Sequence, residues 1–423
     1  MSRLQGRLAD LFTRREGPGS PALTSTPEAT PWAEYAGAVL PSGNAEGLGT
    51  GVTDVRATLP AGTAELTVKR ALLSGPGSEV VFELTGFCCC GVDLAPVKST
   101  RHGRPPRIAL GSLITGQSGG ESPAVSLHRM RGWSRSKHEL LSWLARIRAR
   151  HGDDLRLIIW DDSRFDIPWE LLWLAPDRST DLPGGWLGEL VTVSRWTTIR
   201  TPAGQTPYIS GRCRGEIVGY IASEMSADTD LLADASPRLA STLRELLAEL
   251  ERPGGRVALV YVACHGSFAE SGFEFTLDGV SVGEIDWRTF GRIEESGGLV
   301  FVNACHSGRL IEDPEYNDDT IRGFAEVFLR SGAYGFIGTA GAVLETEARA
   351  TASRLIQLLR QHPDRPVAVA LRDYRRTMAQ TFTDLPAVPD TSSSKSLLPF
   401  VNAYMYLFFG GLETTLALHG GSE

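Results

Sequence analysis

From about residue 207 onward, near-continuous apolar runs alternate with stretches of helical periodicity. GEIVGYIAS, RVALVYVACHG, GLVFVNACHSG, AYGFIGTAG and NAYMYLFFGG read as strands. A strand that is apolar on both faces must be covered on both faces, which is the condition of a parallel sheet lying between helical layers. SPRLASTLRELLAEL is expected as a helix, with Ser236 as N-cap and Pro237 in the first turn. IRGFAEVFLRSG is expected as a helix closed by Gly332, and ETEARATASRLIQLLRQ and PVAVALRDYRRTMAQ are two more. The reading is an α/β fold, a mostly parallel sheet with helices on both faces. No repeat of solenoid period is visible.

A smaller β-rich segment is expected ahead of this core. AELTVKRALL and EVVFELTGFCCC, within residues 34 to 120, read as its strands. Residues 1 to 33 are expected to be flexible, with Leu4, Leu8, Leu11 and Phe12 on one face of a short helix and a Pro/Ser/Thr/Gly-rich linker at 16 to 32. Residues 111 to 123 read as a loop. Gly116-Gln117-Ser118-Gly119-Gly120 formally satisfies G-x-S-x-G, but a nucleophile elbow needs a helix directly behind it, and ESPAVSLHRM does not read as one. SKHELLSWLARIRAR does, with Leu140, Leu141, Trp143, Leu144 and Ile147 at helical spacing. Residues 121 to 206 are thus an accessory part, and 207 to 423 the core.

The net charge of -8 over 423 residues argues against a surface that tracks phosphates, so no nucleic-acid partner is expected. The first residues lack the apolar core of a signal peptide and no run reaches membrane-span length, so a cytoplasmic protein without a membrane partner is expected. The cysteines are Cys88, Cys89, Cys90, Cys213, Cys264 and Cys305. Their spacing is neither that of a disulfide framework nor of a Cys-x-x-Cys metal pair. Three consecutive cysteines on one strand cannot converge on one ion, so neither a metal nor another cofactor is expected.

Two strands end alike. ALVYVA runs into Cys264-His265-Gly266-Ser267, and LVFVNA into Cys305-His306-Ser307-Gly308. Functional groups gather at the carboxyl ends of parallel strands. If these strands are neighbours, His265 and Cys305 meet although 40 positions separate them. A thiol of ordinary pKa is mostly protonated at neutral pH, and an imidazole beside it can take that proton and leave a nucleophile. Gly266 lets the main chain approach closely, and its N–H with that of Cys305 can face a developing oxyanion. Neighbours on an extended strand face opposite ways, which makes His306 a poor base for the Cys305 thiol and sets Cys264 aside as a core residue. Glu274, Asp278, Glu284, Asp286, Glu312 and Asp313 are acids that could line a pocket or orient His265, and the sequence does not choose among them.

The paired endings H-G and N-A-C-H-S-G resemble the caspase-haemoglobinase class of cysteine peptidases, and within it the CHAT domain. IPWELLWL is similar to the lead-in of CHAT domains, GFAEVFLRSGAYGFIGTAG to the helix and strand after the cysteine, and PFVNAYMYLFFGG to the last strand. The resemblance covers roughly 125 to 415. It implies His265 as catalytic histidine, Cys305 as nucleophile, and the Gly266 amide in the oxyanion hole. Asn303 falls where metacaspases usually carry an aspartate that selects Arg or Lys, so a strict basic preference is not implied. Asn303 and Asp278 are the substrate-pocket candidates. T-A-G-A-V-L-E-T-E replaces a Trp-containing stretch common in CHAT domains. The resemblance further implies a protein substrate, cleaved in a defence or cell-death response, with residues 1 to 120 recruiting an activator or sensor. The rival reading is a non-catalytic CHAT-like scaffold that binds a partner.

Overall fold

The computed structural model describes residues 59–73, 79–97, 103–106, 122–177, 181–197, 210–268, 274–312, 321–382 and 396–418. The expected terminal helix, the linker at 16–32 and the Gly116–Gly120 motif lie outside the described residues.

Eleven strands of the described residues form one sheet. In chain order they are β1 (Thr63–Leu73), β2 (Glu79–Cys88), β3 (Leu94–Val97), β4 (Arg156–Asp162), β5 (Thr192–Trp196), β6 (Glu216–Ile221), β7 (Arg238–Ala240), β8 (Val257–Ala263), β9 (Leu299–Asn303), β10 (Gly335–Thr339) and β11 (Tyr406–Gly410). Across the sheet they run β7-β6-β8-β9-β10-β11-β5-β4-β1-β2-β3. β6 to β10 are parallel to one another. β11 is antiparallel to β10 and parallel to β5, which with β4 and β1 forms a second parallel group. β2 folds back antiparallel on β1, and β3 antiparallel on β2. The β-rich stretch before the core therefore does not stand apart: its strands extend the same sheet.

Every residue of β8, β9 and β10 is buried, as two-sided strands require. The helices are α1 (Pro123–Arg135), α2 (His138–His151), α3 (Leu243–Glu251), α4 (Phe324–Arg330), α5 (Glu345–Gln361), α6 (Val367–Thr381) and α7 (Leu398–Met405), with shorter turns between them. α2 buries Leu140, Trp143, Leu144 and Ile147, while Leu141 is half-buried. Among the described residues, no helix is long and apolar enough to cross a membrane.

Four local expectations need correction. α3 starts at Leu243, not at Ser236. Thr242 caps it by accepting from the Glu245 N–H at 3.1 Å, and the Glu245 carboxylate accepts from the Ser241 N–H at 3.0 Å. These two hydrogen bonds fix the helix start past Ser236, whose φ of 48° ends a preceding turn, and free Arg238–Ala240 to pair as the edge strand β7. Secondly, the stretch after the G-x-S-x-G motif is the helix α1, capped by Ser122 with Pro123 in its first turn. Serines on its buried face masked the apolar stripe: the Ser134 hydroxyl donates to Met130 O and accepts from the Trp173 N–H. Thirdly, the closing apolar run begins as the helix α7 and becomes a strand only at Tyr406. Fourthly, the three consecutive cysteines do not share a strand. Cys88 ends β2, and Cys89 and Cys90 form a turn closed by the Gly91 N–H on Cys88 O at 2.8 Å.

β11 meets the group of β5, β4 and β1 at a single bridge, Phe409 with Arg195. A buried ion pair reinforces this seam. Arg195 Nε donates to Glu170 Oε1 at 2.9 Å, a second guanidinium nitrogen reaches Glu170 Oε2, and Arg195 also donates to Ile167 O. Burial alone would raise the Glu170 carboxyl, but the charge and hydrogen bonds of Arg195, with Arg375 nearby, hold it below the ordinary carboxylate value. Glu170 and Ile167 both belong to the IPWELLWL phrase, whose Trp169 is fully buried and donates to Asp161 Oδ2 at 2.7 Å.

Candidate active site

β8 and β9 are neighbours with Ala263 opposite Asn303. His265 and Cys305 each lie two residues past that pair, so the register carries both off the sheet at the same level. They line one cleft together with Met225, Asp228, Asn303 and Val343. His265 is exposed and Cys305 half-buried. The main chain at Gly266 passes against that of Cys305, and a side chain at 266 would run into the Cys305 carbonyl. Only glycine fits this approach.

The turn after Cys305 is tied to β10. The Ser307 hydroxyl donates to Val302 O at 2.9 Å and accepts from the Thr339 N–H at 3.0 Å. Thr339 Oγ1 donates to Ala304 O at 2.6 Å, and the His306 N–H donates to Gly341 O at 2.9 Å. The loop after β10 reaches the thiol itself: Cys305 Sγ accepts from the Val343 N–H at 3.4 Å and donates to Val343 O at 3.5 Å.

His306 is not among the residues lining the cleft, and the reason is a turn rather than strand alternation, since its φ is +63°. Burial, with a contribution from Arg309, pushes its imidazole down to about 4, which leaves it neutral at pH 7. Cys264 is fully buried, and burial first, then Asp278, pushes its thiol far up. It packs in the main hydrophobic core, as expected, while bordering the cleft.

Asn303 is buried in a polar network behind the dyad. Its amide donates to Asp228 Oδ2 at 3.2 Å, and its carbonyl accepts from Tyr406 OH at 2.6 Å. Tyr261 OH donates to the same Asp228 oxygen at 2.7 Å. Burial, then the Asp228 charge, raises the Tyr261 hydroxyl well above its ordinary value, so it stays a donor. The cleft therefore has a carboxylate in its wall that no motif pointed to. Asp228 sits in a short helical stretch after β6, 75 positions from its partner Asn303. Asp278 is not part of this wall: its main chain accompanies His265, and its carboxylate accepts from Tyr220 OH. Glu284 pairs with Arg244, and Asp286 with Arg322 and Arg330. Glu224 is a further acid the sequence did not single out. Its own N–H, then the Ser223 hydroxyl, lower its carboxyl, and His265 adds a smaller pull in the same direction.

Residues 215–391 match the CHAT domain family. This segment is similar to CHAT domains. It runs from the residue before β6 to beyond α6 and contains both His265 and Cys305, but it is narrower than the 125 to 415 span of the sequence resemblance. No curated protein matches the chain. Among solved structures, the crystal structure of the Arg-specific cysteine proteinase gingipain R is similar with a TM-score of 0.44 and 12% identity, over 66% of this chain and 68% of that one. The complex of the pro- and mature domains of that proteinase from Porphyromonas gingivalis gives 0.45 and 12%, over 66% and 70%. The Saccharomyces cerevisiae separase–securin complex gives 0.36 and 14%, over 65% of this chain but 17% of the other.

Proposed function

We propose that this CHAT-like chain is a cysteine endopeptidase in which Cys305 is the nucleophile and His265 the acid–base partner. The observation that carries the reading is the register of β8 and β9, which delivers both residues to one cleft with Gly266 packed on the Cys305 main chain. In this mechanism the Cys305 thiolate attacks the scissile carbonyl carbon. The oxyanion is met by the N–H groups of Gly266 and Cys305. Collapse of the tetrahedral species expels the amine, which takes its proton from the His265 imidazolium, and leaves a thioester on Cys305. Water, deprotonated by His265, then hydrolyses the thioester and restores the thiol.

Asp228 supports a basic residue at P1. The Asp228 carboxylate in the cleft wall has Arg349 Nε at 4.0 Å on its Oδ1 side, a basic P1 side chain would add a second cation from the cleft, and Asn303 holds the carboxylate in place rather than carrying charge itself. The resemblance supports one or a few dedicated protein substrates cleaved in a bacterial defence or cell-death response, with an activator or sensor engaging residues 1 to 120. The test is to incubate the purified protein, with its trigger, against candidate partner proteins in parallel with Cys305→Ala. Fragments made by the wild type alone support the reading. Identical fragments from both, or none from either, leave the scaffold reading in its place.

A further inference from the structure

We propose that Cys88, Cys89, Cys90 and His151 form a structural Zn2+ site that pins the C-terminal end of α2 to the turn after β2. The sequence hid this site for two reasons. Its fourth ligand lies 61 positions after Cys90. The three cysteines also look like one strand, on which alternate side chains diverge.

The chain removes that objection by leaving the sheet at Cys88. The Cys89 N–H donates to Thr63 O at 3.0 Å, and the turn is closed by Gly91, which has a φ of +78°. Cys88 Sγ and His151 Nε2 are 3.2 Å apart, Cys89 Sγ and the same nitrogen 3.8 Å, and Cys90 Sγ and Cys88 Sγ 3.2 Å. The ligand atoms of Cys88, Cys89 and His151 all lie within 4.8 Å of one another. A tetrahedral ion bound at about 2.3 Å to sulfur and about 2.0–2.1 Å to nitrogen sets its ligand atoms roughly 3.5–3.8 Å apart along the edges. Cys88, Cys89 and His151 have close to that spacing, while Cys90 meets the cluster through Cys88 Sγ and its thiol would turn toward Cys89 and His151 to complete the set. All six cysteines of the chain are free thiols, so none of these three is committed to a disulfide.

The donor set selects the ion. Three thiolates and one imidazole are soft and borderline ligands, and Cys3His is a closed structural zinc set with no open position for chemistry. A cation at the centre supplies the charge that stabilises thiolate ligands.

The surroundings are organised for a clamp. α2 is tied to the segment after the turn at two more points, since Trp143 Nε1 donates to Val92 O at 2.9 Å and Arg146 donates to Asp93 O at 3.2 Å. His151 is the last residue of α2, immediately before the turn into β4. Five strands separate β2 from β9 in the sheet, so the site lies on the order of 29 Å from the dyad in the strand-stacking direction. It is therefore independent of the peptidase chemistry.

The experiment uses the full chain purified under reducing conditions. Metal content is measured by mass spectrometry, and the ion is exchanged for Co2+, whose absorption reports thiolate charge transfer and tetrahedral geometry. The proposal expects one Zn2+ per chain, a tetrahedral thiolate–Co2+ spectrum, and stoichiometric metal release on thiol modification. His151→Ala should weaken Co2+ binding by more than the ~10–100-fold that loss of an outer partner costs. Chelation of the wild type should lower its melting temperature, and added Zn2+ should restore it. This readout needs no variant to fold. A protein that holds no metal and shows no Co2+ spectrum overturns the proposal. So does a Cys88–Cys90 disulfide in the reduced preparation, or an unchanged Co2+ affinity in a folded His151→Ala protein.

Discussion

Glu170→Gln is the sharpest test of how the two parallel halves of the sheet are held together. Glu170 and Arg195 are 1% and 7% exposed, so water cannot replace a lost partner. The amide nearly preserves shape, and its oxygen can still accept from Arg195 Nε. Its NH2 group, however, now faces the guanidinium nitrogen that donated to Glu170 Oε2, a donor against a donor. Arg195 is left without its ion-pair partner, and Arg375, also fully buried, loses the same counter-charge. Removing one member of a buried pair costs about 3–5 kcal/mol, whereas replacing both with apolar groups is often nearly neutral. Urea unfolding should therefore place Glu170→Gln about 3–5 kcal/mol below wild type, and Glu170→Leu/Arg195→Met should recover at least half of that. A single-variant loss below about 1 kcal/mol, or a double variant no better than Glu170→Gln, would refute the seam argument.

Three further outcomes follow from the site. The His306 imidazole is held near 4 against an ordinary 6.5, so the unfolded chain binds the proton more readily between those values. Its stabilisation is thus complete above pH 6.5 and is lost as pH falls toward 4, by about 1–2 kcal/mol after allowance for partial exposure, and His306→Gln should flatten that limb of a stability–pH curve. Asp228→Asn should lower kcat/KM for peptides with Arg or Lys at P1 by about 10-fold, or ~1.4 kcal/mol, because Arg349 at 4.0 Å already shares the Asp228 charge, and a basic-P1 preference that survives would exclude Asp228 as the selecting group. Gly266→Ala forces a methyl group onto the Cys305 carbonyl, so it should cost about 1–3 kcal/mol in unfolding experiments and abolish turnover. Wild-type stability and rate in that variant would contradict the close approach.

The parallel core was legible because β8, β9 and β10 are buried on both faces and therefore apolar without interruption. That His265 and Cys305 meet in one cleft was legible because each lies two residues past the end of such a strand. What the sequence concealed were contacts made across long separations. Asp228 joins Asn303 from a short helical stretch that has no periodicity of its own. His151 reaches Cys88 because a turn, not a strand, carries Cys89 and Cys90. Thr242, not Ser236, caps α3 because its hydroxyl accepts from the Glu245 N–H while the Glu245 carboxylate accepts from the Ser241 N–H just before it.

The central claim is that Cys305 and His265 form a peptidase dyad, and the direct measurement is the rate at which new N-termini appear in a protein mixture treated with the activated chain. The account predicts defined new termini with wild type, and at least a ~10³-fold loss with Cys305→Ala and with His265→Ala, each folded as judged by circular dichroism. Cys305→Ala cleaving at the same positions and rate as wild type would contradict it.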